Sequence, residues 1–119
     1  MRNFRELKIW QNGIQIAIKT YRVTETFPNE DKYAIVQQMN KAGVSIASNI
    51  AEGCSRKSQK DYSRFLEIAL GSTYELETQV IIAEQLKKGN QQLLQELKSA
   101  IIEEQRMITR FQQTLLNFK

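Results

Sequence analysis

Histidine is absent from the 119-residue sequence, which holds one cysteine, one proline and five glycines. Without imidazole there is no Ser-His-Asp triad, no Cys-His pair and no imidazole-held zinc or haem. A single cysteine closes no intrachain disulfide, so apolar packing must carry the stability, as suits a reducing compartment. No run of about 18 apolar residues occurs, so no segment is expected to cross a membrane. Met1-Arg-Asn-Phe-Arg-Glu-Leu-Lys8 carries charges where a signal peptide needs an apolar centre. No acid–base pair stands out either. The expectation is one soluble, cytoplasmic domain that is not an enzyme and uses no metal or cofactor.

The scarce glycines and proline punctuate long helices. Pro28 ends a first helix near Glu25, and Asn29 can cap a second whose first turn holds Glu30 and Asp31. Gly53 reads as lying at or near a C-cap, Ser58 with Asp61 as a capping pair, and Lys87-Lys-Gly89-Asn90 as a stop with a C-cap glycine followed by an N-cap asparagine. Four helices are expected, over residues 5–25, 30–53, 59–88 and 91–118. Apolar residues recur at steps of three and four along each. The first seam is Leu7, Trp10, Ile14, Ala17 and Tyr21; the second is Ile35, Met39, Ala42, Ile46 and Ile50. The third is Tyr62, Phe65, Ala69, Ser72, Leu76, Val80 and Ala83. The fourth runs Leu94, Leu97, Ile101, Ile108, Phe111, Leu115 and Phe118, interrupted at Glu104. Short connections make these an all-α, up-down-up-down antiparallel four-helix bundle.

A second apolar stripe complicates that picture. Ile9, Ile16 and Val23 repeat every seven residues on helix one, and Leu93, Ala100 and Met107 do so on helix four. Either the core face is wide, with scattered apolar residues left exposed, or these six residues bury a second face against another subunit. The second reading is preferred, giving a homo-oligomer closed as a dimer or ring.

Helix two has a smooth strip of Gly43, Ala47 and Ala51, for which Ala69, Gly71 and Ser72 on helix three are the expected counterpart. Ser45, Ser48 and Asn49 beside it are expected to bond within or between helices rather than to a ligand. Glu75 and Glu77 point to different faces, and Glu75 is expected to pair with a cation on another helix. Charge is uneven: residues 1–22 carry a local +4, 54–64 a local +3, and 65–86 a local −4. Arg56, Lys57, Lys60 and Arg64 cluster at the helix two–three corner, next to the amides that begin helix three. They are the candidate phosphate contacts, with Lys41, Lys8, Lys19 and Arg22 assisting; the bland alternative is a solvated corner. Among aromatics, Tyr33 and Tyr74 alone look free to meet a base.

Phe4-Arg-Glu-Leu-Lys-Ile-Trp10, Val44-Ser-Ile-Ala-Ser-Asn-Ile-Ala-Glu-Gly53 and a third block of Ser58, Tyr62, Arg64-Phe-Leu66, Ile68-Ala-Leu-Gly-Ser72 and Glu75-Leu-Glu77 together resemble a known family. It is the four-helix bundle family of proteins encoded in 23S rRNA intervening sequences, similar to the accessory variability determinant of diversity-generating retroelements. The resemblance implies a pentameric ring with a basic surface and, for the retroelement branch, binding to nucleic acid and to a reverse transcriptase. It makes Ser45–Gly53 and Ile68–Ser72 packing blocks. Ala47 stands where that motif usually has Pro, and Asn40-Lys41 where two basic residues are common. Two functions are therefore expected to compete: binding of RNA or an RNA–DNA hybrid without strong sequence preference, or an oligomeric scaffold for a protein such as a polymerase.

Overall fold

Asn3 accepts a hydrogen bond from the Arg5 amide at 3.2 Å and so starts a 3-10 turn, Phe4–Glu6, ahead of the first helix. The structure, a computed structural model, describes residues 2–117. Four helices follow: α1 Lys8–Thr24, α2 Ile35–Cys54, α3 Gln59–Gln85 and α4 Gln91–Asn117. No strand occurs among the described residues, and no helix there is long and apolar enough to cross a membrane. Each helix packs on its sequence neighbours, and α1 closes the square against α4. Gly13 lies against Ala47 while Gly43 lies against Thr20, so α1 and α2 run antiparallel. Ser45 with Ser72 and Cys54 with Tyr62 set the same sense for α2 and α3. Glu84 with Lys98 and Ser63 with Gln112 do so for α3 and α4. The bundle measures 49 × 21 × 19 Å.

Three helix ends move from their expected places: α1 begins at Lys8 rather than residue 5, α2 at Ile35 rather than 30, and α3 ends at Gln85 rather than 88. The chain after Pro28 makes only a 3-10 turn, Asn29–Asp31, and α2 begins at Ile35. Asn29 is thus inside that turn and caps nothing; no side-chain cap bond starts it. Gly53 does lie near the end of α2, one residue before its last, Cys54. A Cβ at Gly53 would stand 2.9 Å from the Cβ of Phe65, so close helix approach is its role. At the start of α3 the expectation holds: Ser58 Oγ accepts from the Asp61 amide at 3.0 Å.

The second stripe is the core. Ile9 is 4% exposed, and Ile16 and Val23 are fully buried, so these three cannot meet another subunit. Leu93, Ala100 and Met107 also pack against the chain's own core. The face of α1 that looked like the seam lies at the edge of the core, with Leu7 and Trp10 half-buried against it and Tyr21 50% exposed. Both faces carry apolar residues at steps of three and four, and small residues decide between them. Gly13 and Thr20 interrupt the Ile9–Ile16–Val23 stripe where Ala47 and Gly43 approach, and bulkier side chains there would hold α2 away. The Gly43–Ala47 strip therefore meets α1 rather than α3. Gly71 is exposed with nothing near its missing Cβ, so it has no packing partner among the described residues.

The seams of α2 and α3 match expectation: Met39, Ala42, Ile46 and Ile50 are buried, as are all seven residues from Tyr62 to Ala83. On α4, Leu94, Leu97, Ile101 and Ile108 are buried, Phe111 and Leu115 half-buried, and Phe118 lies outside the described residues. Glu104 does not interrupt that seam but lies in it, with none of its surface exposed.

Candidate nucleic-acid interface

Antiparallel connectivity gathers the start of α1, the end of α2 and the start of α3 at one end of the bundle. Arg2 ties them together. It donates to the carbonyl of Arg56, to that of Cys54 at 3.5 Å and to Gln59 Oε1 at 3.2 Å. Its guanidinium carbon stands 4.3 Å from the Tyr62 ring centroid. Burial, with a hydrogen bond from the Cys54 thiol, raises the Tyr62 phenol well above the usual range. The ring is thus a neutral floor for that cation.

Arg2, Arg5, Arg56 and Lys57 line a cleft of about 1230 Å³ together with Asn3, Phe4, Ala51, Cys54 and Ser55. Lys60 and Arg64 border a neighbouring depression of about 760 Å³, where Asp61, Glu67, Leu115 and Leu116 share the wall. Arg56 and Arg64 both lie over the Phe65 ring, at 4.7 and 4.9 Å. An ion pair with Glu52 at 2.9 Å partly offsets Arg56, but both partners are solvated and the pair is worth little. The start of α3 is less open than expected, because Ser58 already satisfies one of its amides.

The eight candidate cations therefore divide. Arg56, Lys57, Lys60 and Arg64 come together at this corner, and Lys8 lies at the same end on the first residue of α1. Lys19, Arg22 and Lys41 do not join them. Thr20 against Gly43 and Thr24 bonded to Asn40 put those three about 20 Å further along the bundle, at 1.5 Å per helical residue. Two cations not singled out from the sequence, Arg2 and Arg5, replace them. Their segment was visibly basic, but a contact between Arg2 and Arg56 joins residues 54 apart and leaves no periodic signal.

Other polar groups take structural positions. Ser45 and Ser72 hydrogen-bond at 2.6 Å, and the Asn49 amide donates to the Ser45 carbonyl at 2.8 Å, as expected of bridging and back-bonding residues. Glu75 forms no ion pair among the described residues; Glu84 pairs with Lys98 at 2.8 Å instead, and Glu77 accepts from Gln105. Tyr33 and Tyr74 are exposed, at 82% and 53%, but neither lines the basic cleft. No group of three or more metal-ligating residues occurs among the described residues.

Comparisons with known proteins place this geometry. No curated protein matches the chain. A solved structure from Bacteroides thetaiotaomicron, described as a protein of unknown function from the S23 ribosomal protein family, superposes with a TM-score of 0.80. The match is at 19% identity and covers 87% of this chain and 96% of that one, so the fold is shared. A family model for the 23S rRNA-intervening sequence protein matches residues 5–110. That span holds all but the ends of the bundle, and the chain belongs to the 23S rRNA-intervening sequence protein family.

Proposed function

We propose that this protein is a non-enzymatic, oligomeric nucleic-acid-associated protein that binds RNA or an RNA–DNA hybrid by charge and shape rather than sequence. The observation that carries this reading is the set of four cations around one cleft, with two more beside it. Clustered guanidinium and ammonium groups on a concave wall displace the counterions of a phosphate chain. The side chains that would reach phosphate are Arg2, Arg5, Arg56, Lys57, Lys60 and Arg64.

Oligomerisation rests on a different face from the one expected. Ile68 and Ile82, 41% and 45% exposed, lie within about 40° of one another around α3, and Leu86, 60% exposed, follows directly on its last turn. A repeated copy would cover that stripe and multiply the weak basic patch into a multivalent surface. The family resemblance implies five copies. Light scattering at micromolar concentration is expected to give a mass of several chains; a monomer contradicts the assembly.

The same uncovered stripe, with Glu67 and Glu75 exposed on α3, favours the second reading, a scaffold for a protein partner such as a reverse transcriptase. Reversing charge with Arg56→Glu, Lys57→Glu and Lys60→Glu separates the two. Loss of RNA binding, read by fluorescence anisotropy on a variant whose circular dichroism is unchanged, supports the first. Unchanged affinity contradicts it and leaves the scaffold.

A further inference from the structure

The basic cleft differs from a solvated corner in one respect: an aromatic ring is built into its wall. Phe4 is half-buried and lines the cleft among the cations. Trp10 holds it edge-on at 5.2 Å between centroids, and the Asn3-capped turn that carries it is fastened to α1 by Gln11, whose amide donates to the Arg5 carbonyl at 2.9 Å. The Arg5 guanidinium carbon stands 4.5 Å from the Phe4 ring centroid. The ring is therefore preorganised on a short turn, with the exposed Arg5 guanidinium lying over it, and little of the ring's own freedom remains to be lost on binding.

A double helix keeps its bases stacked inside and offers a concave wall only phosphates, so the ring would contribute nothing to it. An unpaired strand offers both consecutive phosphates and free base faces. Single strands are held by this pairing of a basic groove with aromatic rings or arginine planes. The cleft, at about 1230 Å³, exceeds the roughly 300–1,000 Å³ of sites that enclose one drug-sized molecule, which leaves room for more than one nucleotide. Arg2, Arg5, Arg56 and Lys57 are grouped within one concavity at one end of the 49 Å bundle, apart from Lys19, Arg22 and Lys41. We infer that the cleft takes an unpaired RNA segment, with a base stacked on the Phe4–Arg5 platform and its flanking phosphates on Arg2, Arg56 and Lys57. The inference rests on the nucleic-acid reading above and narrows it.

The test is fluorescence anisotropy with three probes of one mixed sequence: single-stranded RNA, the RNA duplex and the RNA–DNA hybrid. The single strand is expected to bind about tenfold or more tightly than either duplex. Phe4→Leu keeps an apolar side chain against Trp10 but removes the ring face. It should weaken single-strand binding about five- to tenfold and leave duplex binding and the salt slope unchanged, with Tm lowered by only a few degrees for the lost edge contact with Trp10. Arg5→Gln should lower both affinity and slope. Where Phe4→Leu fails to fold, ultraviolet crosslinking of the wild-type protein to 5-bromouridine RNA decides, with the adduct expected in the peptide Arg2–Lys8. Equal binding of all three probes, a neutral Phe4→Leu, or adducts only elsewhere overturns the single-strand inference while nucleic-acid binding stands. No binding of any probe overturns both.

Discussion

Glu104 is the residue whose position most affects the chemistry of the core. It is fully buried; Asn12 donates to its Oε1 at 3.0 Å, and its Oε2 has no partner among the described residues. Burial pushes its pKa up from 4.5 to about 7, against a smaller opposing effect of the Asn12 bond. A carboxyl raised in this way holds extra protons in the folded state. Its contribution is complete below the unfolded value of 4.5, fades as pH rises, and is gone once pH passes about 7. The loss is on the order of 3 kcal/mol, from about 1.4 kcal/mol per unit of pKa. Glu104→Gln keeps the acceptor for Asn12 without the charge. It is expected to raise Tm at pH 8, with the gain shrinking toward zero by pH 5, as thermal melts across that range would record. A Tm difference independent of pH contradicts the buried carboxyl. The sequence marked Glu104 only as a gap in a seam, because periodicity shows which face a residue occupies and not whether its neighbours leave it dry.

Among the elements, the α3–α4 turn shows how a cap can be read correctly in outline and wrongly in detail. The glycine at 89 was expected to cap α3, but the helix closes earlier, with Lys87 in the left-handed position at φ 58°. Lys88 then donates to the Ala83 carbonyl at 2.9 Å and Lys87 to that of Glu84, closing a Schellman turn two residues early. Lys87→Gly is therefore expected to raise Tm by a few degrees, since a side chain at positive φ costs about 1 kcal/mol. Gly89 has φ 72° and a second constraint: a Cβ there would stand 2.5 Å from the Phe27 ring. Gly89→Ala should cost roughly 1–3 kcal/mol in denaturant melts, by strain and by lifting Phe27 from the core. Equal stability of that variant contradicts the account of the turn. The Ser58 cap of α3, the end of α1 near Glu25 and the α2 and α3 seams were legible because capping and spacing are local, whereas the start of α2 was not. The exchange of faces on α1 was not, since Gly13 and Thr20 acquire meaning only opposite Ala47 and Gly43.

For the whole molecule, the composition pointed away from catalysis and the overall +4 charge said little, because it averages basic and acidic regions. Folding sorts those regions. It draws Arg2, Arg5, Arg56 and Lys57 from two distant stretches into one cleft and leaves Lys19, Arg22 and Lys41 far along the bundle. The corner at 54–64 was legible as a charge run, whereas its partner segment was not, because nothing in the sequence says where Arg2 will land. On the proposed reading, this cleft neutralises several phosphates of one strand. The most direct measure of that is the affinity for single-stranded RNA across a salt series. With four to six cations in contact, log K should fall against log salt with a slope of about −3 to −4, at roughly 0.7 per contact. A slope near zero, with affinity unchanged from low to moderate salt, would contradict the account.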